Sequence, residues 1–170
     1  LMDHVGSGKD WDLARHYGGL FILPPFGVTE NNSLYTTRFE ALKNVVGFLN
    51  KSNEEFVVLS DSDMVCNIDF RPVVKAHGES HADVTMIYVR KNKADIAGTG
   101  HEKYLCIDDG GTVNDVTYDS DEAIVDLYTN VMVLSRTTLL NLIADGTAHG
   151  KKHFESEVLK PLIRAGKVRA

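Results

Sequence analysis

The stretch Phe56–Phe70 reads FVVLSDSDMVCNIDF. β-Forming residues run straight into Asp61 and Asp63, and Asp69 follows closely. Carboxylates at the end of a strand can bind Mg²⁺, a hard cation that takes carboxylate oxygens and keeps waters for substrate phosphates. The same side chains can instead close Asx turns on nearby backbone amides. Other groups with chemistry are sparser. Gly6-Ser7-Gly8-Lys9 has the residue types of a phosphate loop. Its first glycine stands too close to the Gly-Lys pair and no strand precedes it, so it reads as a solvated loop. His77 and His81 are four apart, as are His149 and His153. Without a third ligand, each pair reads as an exposed polar face. Trp11 offers a flat ring for base stacking, but anchoring its own loop is the expected role.

The elements that must position these groups alternate. After an opening helix fragment (LMDHV) and a loop, the short apolar run Phe21 to Leu23 is stopped by Pro24 and Pro25. A helix is expected from about Thr37 to Asn50, with Thr37 as cap and Phe39, Leu42, Val45, Val46 and Leu49 at helical spacing. FVVLS is a continuous apolar run, the pattern of a strand buried on both faces in a parallel sheet. Asp69 opens a helix that carries Pro72 in its first turn and runs through His77. Val84 to Val89 is a strand. Tyr104–Ile107 and Val113–Tyr118 flank Asp108-Asp109-Gly110-Gly111, a hairpin signal. Ala123 to Leu134 holds one long strand or two short ones. Ser135 caps a helix expected to stop at Gly146, and a last helix from about Glu155 to Ala165 stops at Gly166. The pattern predicts an α/β, Rossmann-like domain: a mostly parallel mixed sheet with flanking helices. Ligands in such sheets sit at the carboxyl ends of strands, which is where the aspartates stand.

Composition bounds the function. A chain of 170 residues with 43% apolar and 25% charged residues suits one domain with one core. The net charge of -6 argues against general nucleic-acid binding. No apolar run approaches a membrane span and no signal-peptide pattern opens the chain. Cys66 and Cys106 read as buried, reduced thiols of a cytoplasmic protein. The chain opens inside a helix and closes on a strand-like GKVRA, so both ends are expected to be cuts through a longer protein.

Met2–Pro25 (MDHVGSGKDWDLARHYGGLFILPP) and FVVLSDSDMVCNIDF together resemble segments of the bacterial glucose-1-phosphate adenylyltransferase family. Cys66-Asn67-Ile68-Asp69-Phe70 and Met2-Asp3-His4 are most similar to its GlgD-type companion subunits of glycogen biosynthesis. The similarity extends through the chain and is strongest over residues 1–90. It implies a nucleotidyltransferase fold whose glycine-rich nucleotide loop lies upstream of Leu1, followed by a β-helix domain beyond Ala170. In that family the phosphate of glucose 1-phosphate attacks the α-phosphorus of ATP, with Mg²⁺ held by two carboxylates.

Position by position, the resemblance puts Asp63 on the catalytic, metal-binding aspartate. The second metal aspartate, from an Asp-Phe-Gly motif, corresponds to His153 in His153-Phe154-Glu155, and imidazole is a poor Mg²⁺ ligand. His153 and Glu157 are the replacement positions, and an active enzyme would use a rearranged second ligand such as Glu157. The family's sugar-phosphate residues, Glu-Lys-Pro, fall on the Val113–Asp119 stretch, where Tyr118 stands at a substituted cleft position. Asn130 replaces a glycine beside the sugar, and Thr37-Arg38-Phe39-Glu40 replaces Gly-Thr-Ala-Asp facing the nucleotide. The expectation is a regulatory subunit, catalytically weak or inactive, that partners a catalytic adenylyltransferase subunit in a hetero-oligomer and retains capacity for a nucleotide or sugar phosphate. An active Mg²⁺-dependent enzyme and a purely structural assembly subunit are the alternatives.

Overall fold

The computed structural model describes residues 5–15, 18–23, 36–98 and 100–170. Leu1–His4 of the expected opening helix, and the Pro24-Pro25 stop, lie outside the described residues. The chain divides into two units, Leu1–Tyr35 and Thr36–Ala170. In the first, a 3₁₀ turn, Lys9–Trp11, sits between left-handed Gly8 (φ 75) and Asp12 (φ 56). A Cβ on Gly8 would lie 2.9 Å from Leu13 Cβ, and the Gly8 carbonyl accepts the Leu13 N–H at 2.9 Å. That glycine therefore makes a tight local turn. Trp11 ends the turn and is 52% exposed.

The second unit holds a six-stranded sheet: β1 (Phe56–Leu59), β2 (Val84–Asn92), β3 (Tyr104–Ile107), β4 (Val113–Thr117), β5 (Ile124–Ser135) and β6 (Val168–Arg169). Its helices are α1 (Arg38–Lys51), α2 (Phe70–Ser80), α3 (Arg136–Ala148) and a π-helical turn, Phe154–Leu159, that runs into α4 (Lys160–Arg164). The architecture is α/β with a mixed sheet. The expected predominance of parallel pairing is corrected: β1, β2 and β3 all run antiparallel to β5, β3 is antiparallel to β4, and only β2–β6 is parallel. The continuous apolarity of FVVL does not mark two buried faces. Its residues are only half-buried. The strand buried on both faces is the end of β5, where Val131, Met132, Val133 and Leu134 are all inaccessible and where β1 and β2 pair on its two edges.

Three helices begin as their sequence prescribes, while the π-helical turn and α4 have no side-chain cap. Thr37 caps α1 in a full capping box with Glu40, Asp69 caps α2 by accepting the Arg71 N–H, and Ser135 caps α3 by accepting the Thr138 N–H. Gly146 does not stop α3, which continues to Ala148. A Cβ there would lie 2.4 Å from Cζ of Phe39, a core ring stacked on Phe154 at 6.4 Å. Glycine in this helix makes room for a neighbour. Two further expectations are corrected, the burial of both cysteines and the exposure of His77. Cys66 and Cys106 are both exposed, because Cys66 lies in the irregular stretch after β1 and Cys106 faces out of β3. His77 is buried, at 4% exposure, with Nδ1 2.7 Å from Thr85 Oγ1 and its ring edge-on to Phe56. His81 is the left-handed cap ending α2.

The hairpin is built as its turn residues predict. Asp108 Oδ1 accepts N–H bonds from Gly110 at 2.9 Å and Thr112 at 2.8 Å, and Gly111 takes φ 79. Its tip is also tied to β6: the Ala170 N–H donates to the Gly111 carbonyl at 2.9 Å, Arg169 donates to the Gly110 carbonyl, and Thr112 bridges to Arg169. Among the described residues no helix is long and apolar enough to cross a membrane.

Candidate functional site: an ion-paired cleft beside β5

One edge of β5 is shared by two strands. Met132–Ser135 pair with β1, whereas Leu127 pairs with Tyr104 of β3. Residues 129–131 fall in the gap between them. On the other edge the β2 register jumps from Ile87↔Val131 to Tyr88↔Tyr128, so Thr129 and Asn130 form a bulge. Asn130 carries it at φ 58, a left-handed conformation that asparagine tolerates and β-branched residues do not. The Thr129 hydroxyl donates to the Ile87 carbonyl at 2.7 Å. Bulges of this kind end pairing locally and re-aim side chains.

Five elements send charged or polar groups into this gap. Arg38, the first residue of α1, ion-pairs with Asp61 just beyond β1, and its Nη1 lies 3.2 Å from Glu155 Oε1. That second contact is an ion pair without hydrogen-bond alignment, since Nη1 has no hydrogen-bond acceptor. Lys103, just before β3, reaches Glu155 Oε1 at 3.8 Å and donates to Asn130 Oδ1 at 3.2 Å. Beneath them lies the buried Tyr128, whose hydroxyl has no hydrogen-bond partner. The Arg38 and Lys103 side chains are each only 17% exposed, so their pairs are less screened than surface salt bridges.

Arg38 is placed by its neighbours. Thr37 and Glu40 close the capping box, Phe39 is fully buried in the core, and Arg38 is left pointing into the cleft. A cation in the first turn of a helix opposes the macrodipole, and two facing carboxylates offset that. Burial acts to lower the Arg38 pKa, but the Asp61 hydrogen bond and the charges of Glu155 and Asp61 outweigh it and raise the value. Burial pushes the Tyr128 hydroxyl pKa up, and the Arg38 charge opposes this only in part.

The sequence-derived candidates fall in different places. Asn130 belongs to this network, and Tyr118, just past β4, lines the adjoining cavity with Lys103, Asp115, Tyr128 and Glu155. Asp63 is exposed in the turn after β1, outside the ion-pair network. His153 is exposed at the start of the π-helical turn with no side-chain capping bond. Glu157 accepts the backbone N–H groups of His153 at 2.6 Å and Lys152 at 2.7 Å. Those two bonds hold its carboxyl below the usual glutamate range. Asp61, one of the aspartates able to bind a metal or close an Asx turn, pairs with Arg38. Lys103, Glu155 and Tyr128 were not singled out as binding groups. A signal for Glu155 existed: it and Arg38 are opposite charges at two of the positions where the chain departs from the family pattern.

The donor set does not fit a magnesium ion. Asp61 and Glu155 already face cations, Glu157 is bound to backbone amides, and no three His, Cys, Asp or Glu side chains converge on a metal position among the described residues. The adjoining cavity is about 80 Å³, well below the roughly 300–1,000 Å³ of small-molecule sites.

This α/β unit shares its fold with solved proteins. The crystal structure of HddC from Yersinia pseudotuberculosis superposes with a TM-score of 0.57 at 18% identity, covering 76% of this chain and 51% of that one. Sequence comparison then narrows the kinship. The chain is 36% identical over 88 residues to the glycogen biosynthesis protein GlgD of Bacillus subtilis, spanning 52% of this chain and 25% of that protein. It is 37% identical over 87 residues to GlgD of Geobacillus stearothermophilus, spanning 51% and 25%. It is 30% identical over 89 residues to the glucose-1-phosphate adenylyltransferase of Clostridium kluyveri, spanning 52% and 23%. No protein-family profile matches the chain. The chain is thus a relative of GlgD and the glucose-1-phosphate adenylyltransferases, and its matches span about a quarter of their length.

Proposed function

We propose that this domain belongs to a regulatory, non-catalytic subunit of glycogen biosynthesis that acts on a catalytic glucose-1-phosphate adenylyltransferase partner in a hetero-oligomer. One observation carries the reading: the carboxylates of the cleft, Asp61 and Glu155, are matched by Arg38 and Lys103 of the same chain. A nucleotidyl transfer needs cationic charge directed at phosphates and a metal held by free carboxylates. Here the cationic groups are directed at the protein's own acids. The names of the relatives support the pathway.

The test is Mg²⁺-dependent pyrophosphate release from ATP and glucose 1-phosphate by the purified protein alone, and again after co-expression with the catalytic subunit. The expected result is no turnover alone and an altered rate or effector response of the partner. A second reading, an active enzyme, draws on Asp63, which stands outside the ion-pair network. Turnover by the protein alone that disappears in Asp63→Asn would establish that reading in place of ours.

A further inference from the structure

The resemblance implies a divalent cation between the loop after β1 and the π-helical turn, at Asp63 and the position of His153, and an imidazole in place of one carboxylate does not fit one. The geometry points to what takes its place. We infer that the Arg38 guanidinium is the resident cation of this cleft, tying the loop after β1 to the π-helical turn so that the cleft keeps its arrangement without metal. This deepens the reading of a non-catalytic subunit and rests on it.

Three observations carry the inference. The two acids come from segments far apart in the chain, Asp61 and Glu155, and one guanidinium faces both. A planar fork of five N–H donors can face two carboxylates at once, which the point charge of a lysine does less well. The Arg38 side chain is mostly buried and fixed at its root by a capping box on one side and a core ring on the other. It is therefore preorganised in the cleft. Lys103 adds a second internal cation on Glu155. A divalent ion approaching these acids would meet two positive charges and would have to displace an existing pair.

The experiment reads cation binding and stability, so its outcome is separable from turnover. Mn²⁺ is titrated into wild type, Arg38→Met and Arg38→Met/Asp61→Asn, with free Mn²⁺ followed by electron paramagnetic resonance and melting followed with and without Mn²⁺. Wild type should show no saturable site and no change in melting with Mn²⁺ or EDTA. Arg38→Met should melt about 3–8 °C lower, because it leaves Asp61 without its counter-charge and Glu155 with Lys103 alone. Millimolar Mn²⁺ should recover part of that loss, and the recovery should vanish in the double variant. If Arg38→Met does not fold, Arg38→Lys decides. It should lower melting measurably and still ignore Mn²⁺, and wild-type melting in that variant overturns the inference. Saturable Mn²⁺ binding by wild type that Asp61→Asn abolishes also overturns it, even if the protein proves inactive. An Arg38→Met protein that melts like wild type, or whose melting Mn²⁺ does not raise, overturns it too.

Discussion

Asn130 joins backbone geometry to the cleft in a single residue. Its φ of 58 costs a residue such as alanine roughly 1 kcal/mol or more, and its side chain accepts from Lys103. Asn130→Gly keeps the turn and removes the acceptor, whereas Asn130→Ala removes both. Urea denaturation should therefore show the alanine variant less stable than the glycine variant by about 1 kcal/mol. Equal losses would mean that the left-handed turn is not what residue 130 supplies. At this scale the sequence was half legible. The carboxylates at the end of β1, and the substitutions at Arg38, Asn130 and Glu155, were visible as types in suspicious places. Which acid meets which base was not, because Asp61 and Asp63 stand only two residues apart, and only folding decides that the first faces α1. Lys103 and Tyr128 carried no motif. They matter through position alone, one just before an edge strand and the other beneath a bulge.

Elements were more legible, since caps and periodicity are local. Thr37, Asp69 and Ser135 each begin the helix that they announce, and Asp108-Asp109-Gly110-Gly111 turns its hairpin. The failures came where a tertiary neighbour set the rule. Gly146 reads as a stop because glycine ends many helices, yet here its missing side chain admits the Phe39 ring. Gly146→Ala should gain roughly 0.5–1 kcal/mol in helix propensity. It should lose about 1–3 kcal/mol to overpacking against a ring already fixed by Phe154. The expected net is a lower chemical-denaturation midpoint, and a stabilised variant would show that the ring yields. Strand direction failed for a similar reason. An apolar run reports burial, and β1 acquires its direction from the long strand β5 beside it.

For the molecule as a whole, His77 makes stability depend on acidity. Burial lowers its pKa from the ordinary 6.5, and the charge of Asp83 offsets only part of this. The unfolded chain therefore takes up this proton more readily than the fold. Stability is full above about pH 6.5 and declines as pH falls from there toward the folded value. Melting temperature should drop between about pH 7 and pH 5, and His77→Gln, which cannot titrate, should flatten that drop. Parallel curves for the two proteins would assign the acid sensitivity to other groups. The tie between the hairpin and β6 has a mechanical meaning. β3 and β4 are held at the base by β5 and at the tip by Ala170 and Arg169, so the hairpin is a beam clamped at both ends and not a cantilever. A clamped beam bends least at its supports and transmits load between them. Without the contacts at Gly110 and Gly111, the wall bearing Asp115 and Tyr118 would be held at one end only.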